Sequence, residues 1–342
     1  MPRDRIGPGG PTAVERARPA PGNTLRPMPG RHLLQLEGVN PGLMRAWLAR
    51  AAALMRPEDP GRPLAGKTVA TVFFEDSTRT RTSFVLAARR LGAEAIDLSG
   101  SGTSLSKGET LDDTARTIEA MGVDAIVVRV RQAGAPHLIA RAVSCSVLNA
   151  GDGKHEHPTQ GLLDVLALAR AKERAGSFDL TGLTVAIVGD VASSRVARSD
   201  VIAMTALGAE VVLVGPPAQA PGSLASLGVR VERDLDAVLG RVDAVQMLRV
   251  QFERHGGRGI ASRREYRAGY ALTVARARRM RPDAVVMHPG PMNRGMEIDD
   301  AVADGDGIDL PRSIVLDQVS CGVAVRMAVL ESLLTRTPEV GS

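Results

Sequence analysis

Apolar residues along this chain alternate between unbroken runs and helical spacing, and that alternation predicts a parallel α/β protein. Residues 69–74 form an apolar run with the composition of a strand buried on both faces. The chain then turns through Glu75-Asp76-Ser77-Thr78, and Phe84, Val85, Ala88 and Leu91 recur at the spacing of one helix face. The same succession follows downstream. Strands are expected at residues 93–98, 124–130 and 146–150, with a helix carrying Leu111, Ala115, Ile118 and Met121 and another over 158–172. After Gly176 the pattern restarts, with strands at 183–188, 210–214, 229–231, 244–248 and from Val285, and a helix over 193–207. Upstream, residues 32–55 read as helical, because Leu43, Trp47, Leu48, Ala51 and Leu54 keep a helical period and Pro41 suits a first turn. Residues 57–66 read as a loop, and the charges of 254–264 as a solvated segment.

At 342 residues the chain is long for one hydrophobic core, and two domains are expected. The fold class is α/β, with each domain a parallel sheet flanked by helices. Residues 31–170 make the first domain and 171–312 the second. The last helical pattern, over 313–336, is expected to return to the first domain and complete it. Residues 1–30 are rich in Pro, Gly and Arg without apolar periodicity, which predicts a disordered extension.

Composition narrows the function classes. The chain is 44% hydrophobic and 24% charged, which is globular, but only 2% aromatic, so there is no stacking platform for single-stranded nucleic acid. Of the net charge of +5, the first thirty residues carry +3 through Arg3, Arg5, Arg16, Arg18 and Arg26 against Asp4 and Glu15. The remainder has no patterned basic face, and no nucleic-acid partner is expected. No apolar run in the sequence approaches the ~20 residues of a membrane span, and no apolar signal core opens the chain. Cys145 and Cys321 have neither metal-ligand spacing nor a disulfide framework, which fits a cytoplasmic setting.

The candidate chemistry starts where the first strand feeds its helix. Ser77-Thr78-Arg79-Thr80-Arg81 puts hydroxyls and arginines at a helix N-terminus, where free N–H groups and the positive dipole end favour an anion. A phosphate site is the reading. Arg129 closes an apolar strand at the end that faces the crevice in open α/β sheets. His157-Pro158-Thr159-Gln160 begins a helix after a Gly-Asp-Gly loop; His155, Glu156 and His157 offer a competing metal reading, but no third ligand is placed by motif, and no metal is expected. Gly189-Asp190 follows a strand without the dinucleotide fingerprint, and Arg195 in the first turn of the next helix suits a carboxylate. Pro289-Gly290-Pro291 is a stiff turn whose carbonyls are free to accept. No Ser-His-Asp or Cys-His arrangement is present in the sequence.

In this order the motifs resemble the aspartate/ornithine carbamoyltransferase family over residues 31–336. The resemblance implies that Ser77, Thr78, Arg79, Thr80 and Lys107 hold the phosphate of carbamoyl phosphate. It implies that Thr80, Arg129 and His157 stabilise charge on the carbonyl oxygen, and that Gln160 with the carbonyls of Gly290 and Pro291 orients the amino group. Arg79, Thr80, Arg129 and His157 are then the catalytic set, and Lys107, Arg195, Arg249 and Gln251 the amino-acid site. The Gly-rich loop of residues 99–108 matches a family loop that reaches a neighbouring subunit through a hydroxyl, Ser104 or Thr103, and through Lys107. That implies a homotrimer with shared sites.

Thr159 and the stretch His288-Pro289-Gly290-Pro291 resemble the aspartate-using branch, and Arg249 and Lys107 would repel ornithine's ammonium. The implied reaction joins carbamoyl phosphate to L-aspartate, giving N-carbamoyl-L-aspartate and phosphate in pyrimidine synthesis, without a cofactor. Two departures are Val130, where many members carry histidine, and Cys321, where asparagine is usual. A regulatory chain or a dihydroorotase are partners the resemblance allows. The rival readings are a carbamoyltransferase for ornithine or a related amine, and a non-catalytic scaffold.

Overall fold

A computed structural model describes residues 31–56, 60–98, 110–250 and 262–335. The first sheet has four strands, β1 (Thr68–Phe73), β2 (Glu94–Asp97), β3 (Ala125–Val130) and β4 (Ser146–Asp152), in the order β2-β1-β3-β4. All its pairings are parallel. The second has β5 (Thr184–Val188), β6 (Glu210–Val214), β7 (Arg230–Glu232), β8 (Ala244–Met247), β9 (Val285–Met287) and β10 (Arg312–Ser313), in the order β10-β9-β8-β5-β6-β7 and again parallel. Helices α1 (Pro41–Leu54), α2 (Thr78–Arg90), α3 (Leu111–Ala120), α4 (Ala135–Ala142) and α5 (Pro158–Ala171) belong to the first half of the chain. The second half carries α6 (Arg195–Ala206), α7 (Arg263–Tyr270), α8 (Val274–Ala277), α9 (Asp300–Asp304) and α10 (Val315–Thr335).

Both sheets are doubly wound, and each therefore has a point where the winding reverses. In the first sheet it lies between β1 and β3, where Phe73 pairs with Arg129. In the second it lies between β5 and β8, where Val188 pairs with Met247. Crevices open at the carboxyl ends of strands at such points, and the two crevices meet.

What joins the sheets is a shared apolar core. Leu162, Leu166, Val201, Met204 and Ile187 belong to the same buried cluster as Phe84, Leu148, Val325 and Leu330. Residues 158–169 of α5 are buried throughout, because the helix packs on α6 as well as on α10. The final helix returns to the first half of the chain and packs on α1, α2 and α5. By length and composition alone this 21-residue helix would suit a bilayer, since 18 of its residues in a row have a mean hydropathy of 1.2, but 61% of that stretch is buried. Its apolar character is that of a core helix.

The helix expected over residues 32–55 begins only at Pro41. Asn40 is extended (ψ 129°), and its side chain caps the Gly42 N–H. Proline restricts the residue before it to extended backbone, so the chain upstream cannot continue the helix. Leu33 instead lies beside β4: its N–H donates to the Val147 carbonyl at 3.0 Å, and its carbonyl accepts from Asn149 at 2.8 Å. Four short helices, α4, α7, α8 and α9, have no counterpart among the expected elements. α4 is short and enters through Gly134 at φ +83°, and α7 has Tyr266 as its buried residue.

Candidate active site

Each strand that borders a winding reversal carries a candidate residue near its carboxyl end or in the segment that follows. After β1, Ser77 stands at the N-cap of α2 and its side chain makes no capping bond, leaving hydroxyl and first-turn N–H groups toward the cleft. Thr80, one turn in, is 8% exposed. Arg129, near the end of β3, donates from Nη1 to the Ala150 carbonyl at 3.3 Å. After β4, His157 caps α5, its backbone N–H bound by Ser199 Oγ at 2.9 Å. Arg195 opens α6, and Arg249 follows β8 by two residues.

Glu75 gathers two of these cations. Its Oε2 lies 2.9 Å from Arg195 Nη2 and 3.5 Å from Arg129 Nε. Arg195 Nη1 also reaches the Gly153 carbonyl at 3.4 Å, and its guanidinium passes so close to Gly151 that a Cβ there would stand 3.0 Å from Nε.

The turn after β9 comes from the second sheet to the phosphate motif of the first. Gln318 Oε1 accepts the His288 N–H at 2.9 Å, His288 Nδ1 accepts from the Gly290 N–H at 2.7 Å, and Glu297 Oε1 lies 3.3 Å from His288 Nε2. Gly290 has φ +61°, and a Cβ added there would run into the Arg79 guanidinium. The Gly290–Pro291 peptide is cis.

Together these groups line one cleft of about 1100 Å³ between the sheets. Ser77, Thr78, Arg79, Thr80, Arg129, His157, Gln160, Arg195, Arg249, Gly290 and Pro291 all border it. Ser104, Lys107 and Gln251 lie outside the described residues. The triplet considered for a metal diverges. Glu156 turns inward to the Leu36 and Glu37 N–H groups and the Ser199 hydroxyl, whereas His155 pairs with Asp152 at 3.1 Å.

The electrostatics of the cleft are one-sided. Arg79, Arg129, Arg131, Lys154, Arg195, Arg249 and Arg326 face it against Glu75 and Asp76. His157 is 3% exposed, and neither ring nitrogen has a hydrogen-bond partner among the described residues. Burial first, then Arg326, Arg129 and Arg195, hold its pKa well below the ordinary histidine value. The ring is therefore neutral at pH 7, with one N–H to donate.

Some cleft residues were invisible to motif reading. Arg326 is 4% exposed in the middle of α10, its guanidinium 5.1 Å from the Phe84 ring centroid, and burial lowers its pKa to about 10. A lone arginine inside an apolar helical stretch was the available signal. Gln318, Arg131 and Lys154 gave none. Cys321 is fully buried, 3.8 Å from the Met55 sulfur, and burial raises its thiol to about 11.

Two doubly wound sheets whose reversal points jointly present a phosphate-type helix start and opposed arginines define a two-domain α/β binder of small, multiply charged anions. Two family models divide the chain in the same way. Residues 31–170 match the carbamoyl-phosphate-binding domain of aspartate/ornithine carbamoyltransferases, and residues 181–333 match their aspartate/ornithine-binding domain. The chain belongs to the aspartate/ornithine carbamoyltransferase family.

Among its relatives, the aspartate carbamoyltransferase catalytic subunit of Myxococcus xanthus is 54% identical over 88% of this chain and 98% of its own. That of Gluconacetobacter diazotrophicus is 52% identical over 90% and 94%. Of solved structures, the aspartate transcarbamoylase of Trypanosoma cruzi in complex with N-(phosphonacetyl)-L-aspartic acid superposes with a TM-score of 0.79 at 31% identity, over 89% of this chain and 96% of that one. The ornithine carbamoyltransferase of Thermus thermophilus gives 0.76 at 28% identity, over 89% and 99%.

Proposed function

We propose that this chain transfers the carbamoyl group of carbamoyl phosphate to the amine of L-aspartate, yielding N-carbamoyl-L-aspartate and phosphate. The observation that carries the reading is the opposed pair of cation sets in one cleft. Arg79 and Arg129 stand at the first sheet's reversal, and Arg195 and Arg249 at the second's. An acceptor bearing two carboxylates suits that second set, whereas an acceptor ending in an ammonium does not.

In this reading Ser77, Thr78, Arg79 and Thr80, with Lys107, hold the phosphate. Gln160 and the carbonyls of Gly290 and Pro291 take the carbamoyl N–H groups. Arg195, Arg249 and Gln251, with Lys107, clamp the two carboxylates. The neutral aspartate amine attacks the carbamoyl carbon, a C–N bond forms, and the developing oxyanion is met by Thr80, Arg129 and the His157 N–H. The C–O bond to phosphate then breaks, and the departing phosphate takes the amine proton. His157 serves as a donor and not as a base, since its ring resists protonation but offers only one free lone pair in a field of arginines. Positioning two small anions in a closed cleft supplies much of the rate.

The working assembly in this reading is a cytoplasmic homotrimer in which Ser104 and Lys107 of one subunit complete the neighbour's site, and the pathway is pyrimidine synthesis. The test is phosphate release from carbamoyl phosphate by the purified chain, with L-aspartate and L-ornithine as parallel acceptors. Release with aspartate alone is expected. Release with ornithine alone would overturn the assignment of Arg195 and Arg249, and release with neither would overturn the reaction.

A further inference from the structure

Beneath the cleft, at the seam of the two sheets, a buried carboxylate carries three glutamines. Asp164 is fully buried on α5, one turn beyond Gln160. Its Oδ1 accepts from Gln160 Nε2 at 3.0 Å and from Gln318 Nε2 at 2.6 Å. Its Oδ2 accepts from Gln160 Nε2 at 3.1 Å and from Gln246 Nε2 at 3.0 Å. Gln246 Nε2 also reaches Oδ2 of Asp200, equally buried, at 3.2 Å. The glutamines come from α5, β8 and α10, so both sheets are tied to one charge.

We infer that Asp164 is a positioning residue that sets which acyl phosphate the cleft accepts, by aiming the Gln160 amide and, through Gln318, the 288–291 turn at the carbamoyl amino group. The inference rests on the functional reading above. An ionised carboxylate offers acceptors only, so each glutamine must turn its NH2 end toward Asp164 and its carbonyl away. For Gln318 the released carbonyl binds the His288 N–H at 2.9 Å, which fixes the root of the turn. For Gln160, which borders the cleft, the released carbonyl is the acceptor left for a ligand. Gln160 Oε1 and the turn carbonyls then form a set that only N–H donors can satisfy. A methyl group in place of the carbamoyl NH2 leaves those acceptors unpaired, and sites built this way discriminate strongly.

Asp200 supplies the proton that makes the pair tolerable. Burial and then the Asp164 charge hold its carboxyl protonated, well above the ordinary aspartate range. Asp164 is itself raised by burial to about 6, opposed by its bonds to Gln318, Gln160, Asp200 and Gln246, and carries the charge. Without that charge the amides have no reason to prefer one orientation over its flipped form.

The experiment is Asp164→Asn in the full chain, which replaces half of the acceptor by a donor. The readouts are kcat/KM for carbamoyl phosphate at saturating L-aspartate, and the Ki values of acetyl phosphate and inorganic phosphate as competitors. The expected result is a fall of about 100-fold for carbamoyl phosphate while both Ki values stay within about threefold. Equal weakening of all three, or an unchanged kcat/KM, would overturn the inference. If that variant does not fold, Gln318→Met cuts only the arm to the turn. The same split, at about 10-fold, is then expected, and its absence overturns the inference. An unsubstituted chain that releases no phosphate from carbamoyl phosphate would overturn the functional reading, and this inference with it.

Discussion

Glu75 Oε2 sits 2.9 Å from Arg195 Nη2, an ion pair that ties the turn after β1 to the first turn of α6 across the cleft. The same oxygen lies 3.5 Å from Arg129 Nε, so one carboxylate registers cations from both sheets. Neither partner of the Glu75–Arg195 pair is well solvated, with side-chain exposures of 14% and 8%. Solvent screening is therefore weak.

Glu75→Gln keeps the shape and removes the charge, leaving Arg129 and Arg195 to repel each other. The expected outcome is a kcat lower on the order of 10-fold or more, because small misplacements of positioned reactants are costly. The Ki of inorganic phosphate, whose proposed site is the start of α2, is expected to change by less than about threefold. Steady-state kinetics with phosphate inhibition measures both. Weakened phosphate binding at full kcat would mean that Glu75 serves the phosphate side alone.

Gly290 brings the second sheet's turn against the Arg79 guanidinium, at φ +61°. Gly290→Ala combines left-handed backbone strain of about 1–2 kcal/mol with a displaced arginine. Stability is expected to fall by that amount, read from chemical denaturation. The kcat/KM for carbamoyl phosphate is expected to fall about 100-fold or more. An alanine variant that is merely less stable, with kinetics intact, would remove Arg79 from the phosphate's grip.

His32 accepts the Val147 N–H on Nδ1 at 3.0 Å, and burial followed by Arg31 lowers its pKa to about 4. Below 6.5 the unfolded chain binds a proton that the folded imidazole refuses. This contribution to stability is therefore present above pH 6.5 and lost as pH falls from 6.5 toward about 4. The slope is at most about 1.4 kcal/mol per pH unit, and less for a ring that keeps some solvent contact. Glutamine can accept the same N–H without titrating. Urea midpoints at pH 7, 6 and 5 should show a shallower decline for His32→Gln than for the unsubstituted chain. The raised carboxyls Asp164 and Asp200 act with the opposite sign but are common to both chains, so they cancel in the difference.

The proposed sharing of sites between subunits predicts complementation. A Lys107→Ala chain and an Arg79→Ala chain are each expected to be inactive alone. Mixed after dissociation, they should form hybrids in which some sites carry neither lesion, and part of the activity should return. Verified hybrids without activity would sink the shared-site arrangement.

The extent to which this protein was readable in advance follows from the reach of each interaction. Residues 69–74 announced β1 because a strand buried on both faces needs no polar alternation. Ser77 to Arg81 announced an anion site because a helix N-terminus makes one from adjacent residues. The start of α1 is not legible locally because the pairing of Leu33 with Leu148, along the edge strand β4, competes with a helical pattern that looks continuous in the sequence. α4 buries Ala135, Pro136, Ile139 and Ala140, but eight residues with Pro136 in the first turn span too few turns to stand out as a period, and α7 buries Tyr266 alone.

Arg326 and Gln318 illustrate the harder limit. Both lie in an apolar helix whose period says only that it packs. Their roles depend on what α10 meets when it returns to the first half of the chain.

The amino-acid sequence alone determined the main strands and the long helices, and the residues that follow or close β1, β3, β5 and β8, since those are matters of neighbouring side chains and backbone propensity. Tertiary structure decided that the two winding reversals face one cleft, that Glu75 spans it, and that Gln318 reaches an aspartate 154 residues away. Strand order and the return of a final helix bring such partners together, and neither leaves a periodic trace in the residues that meet.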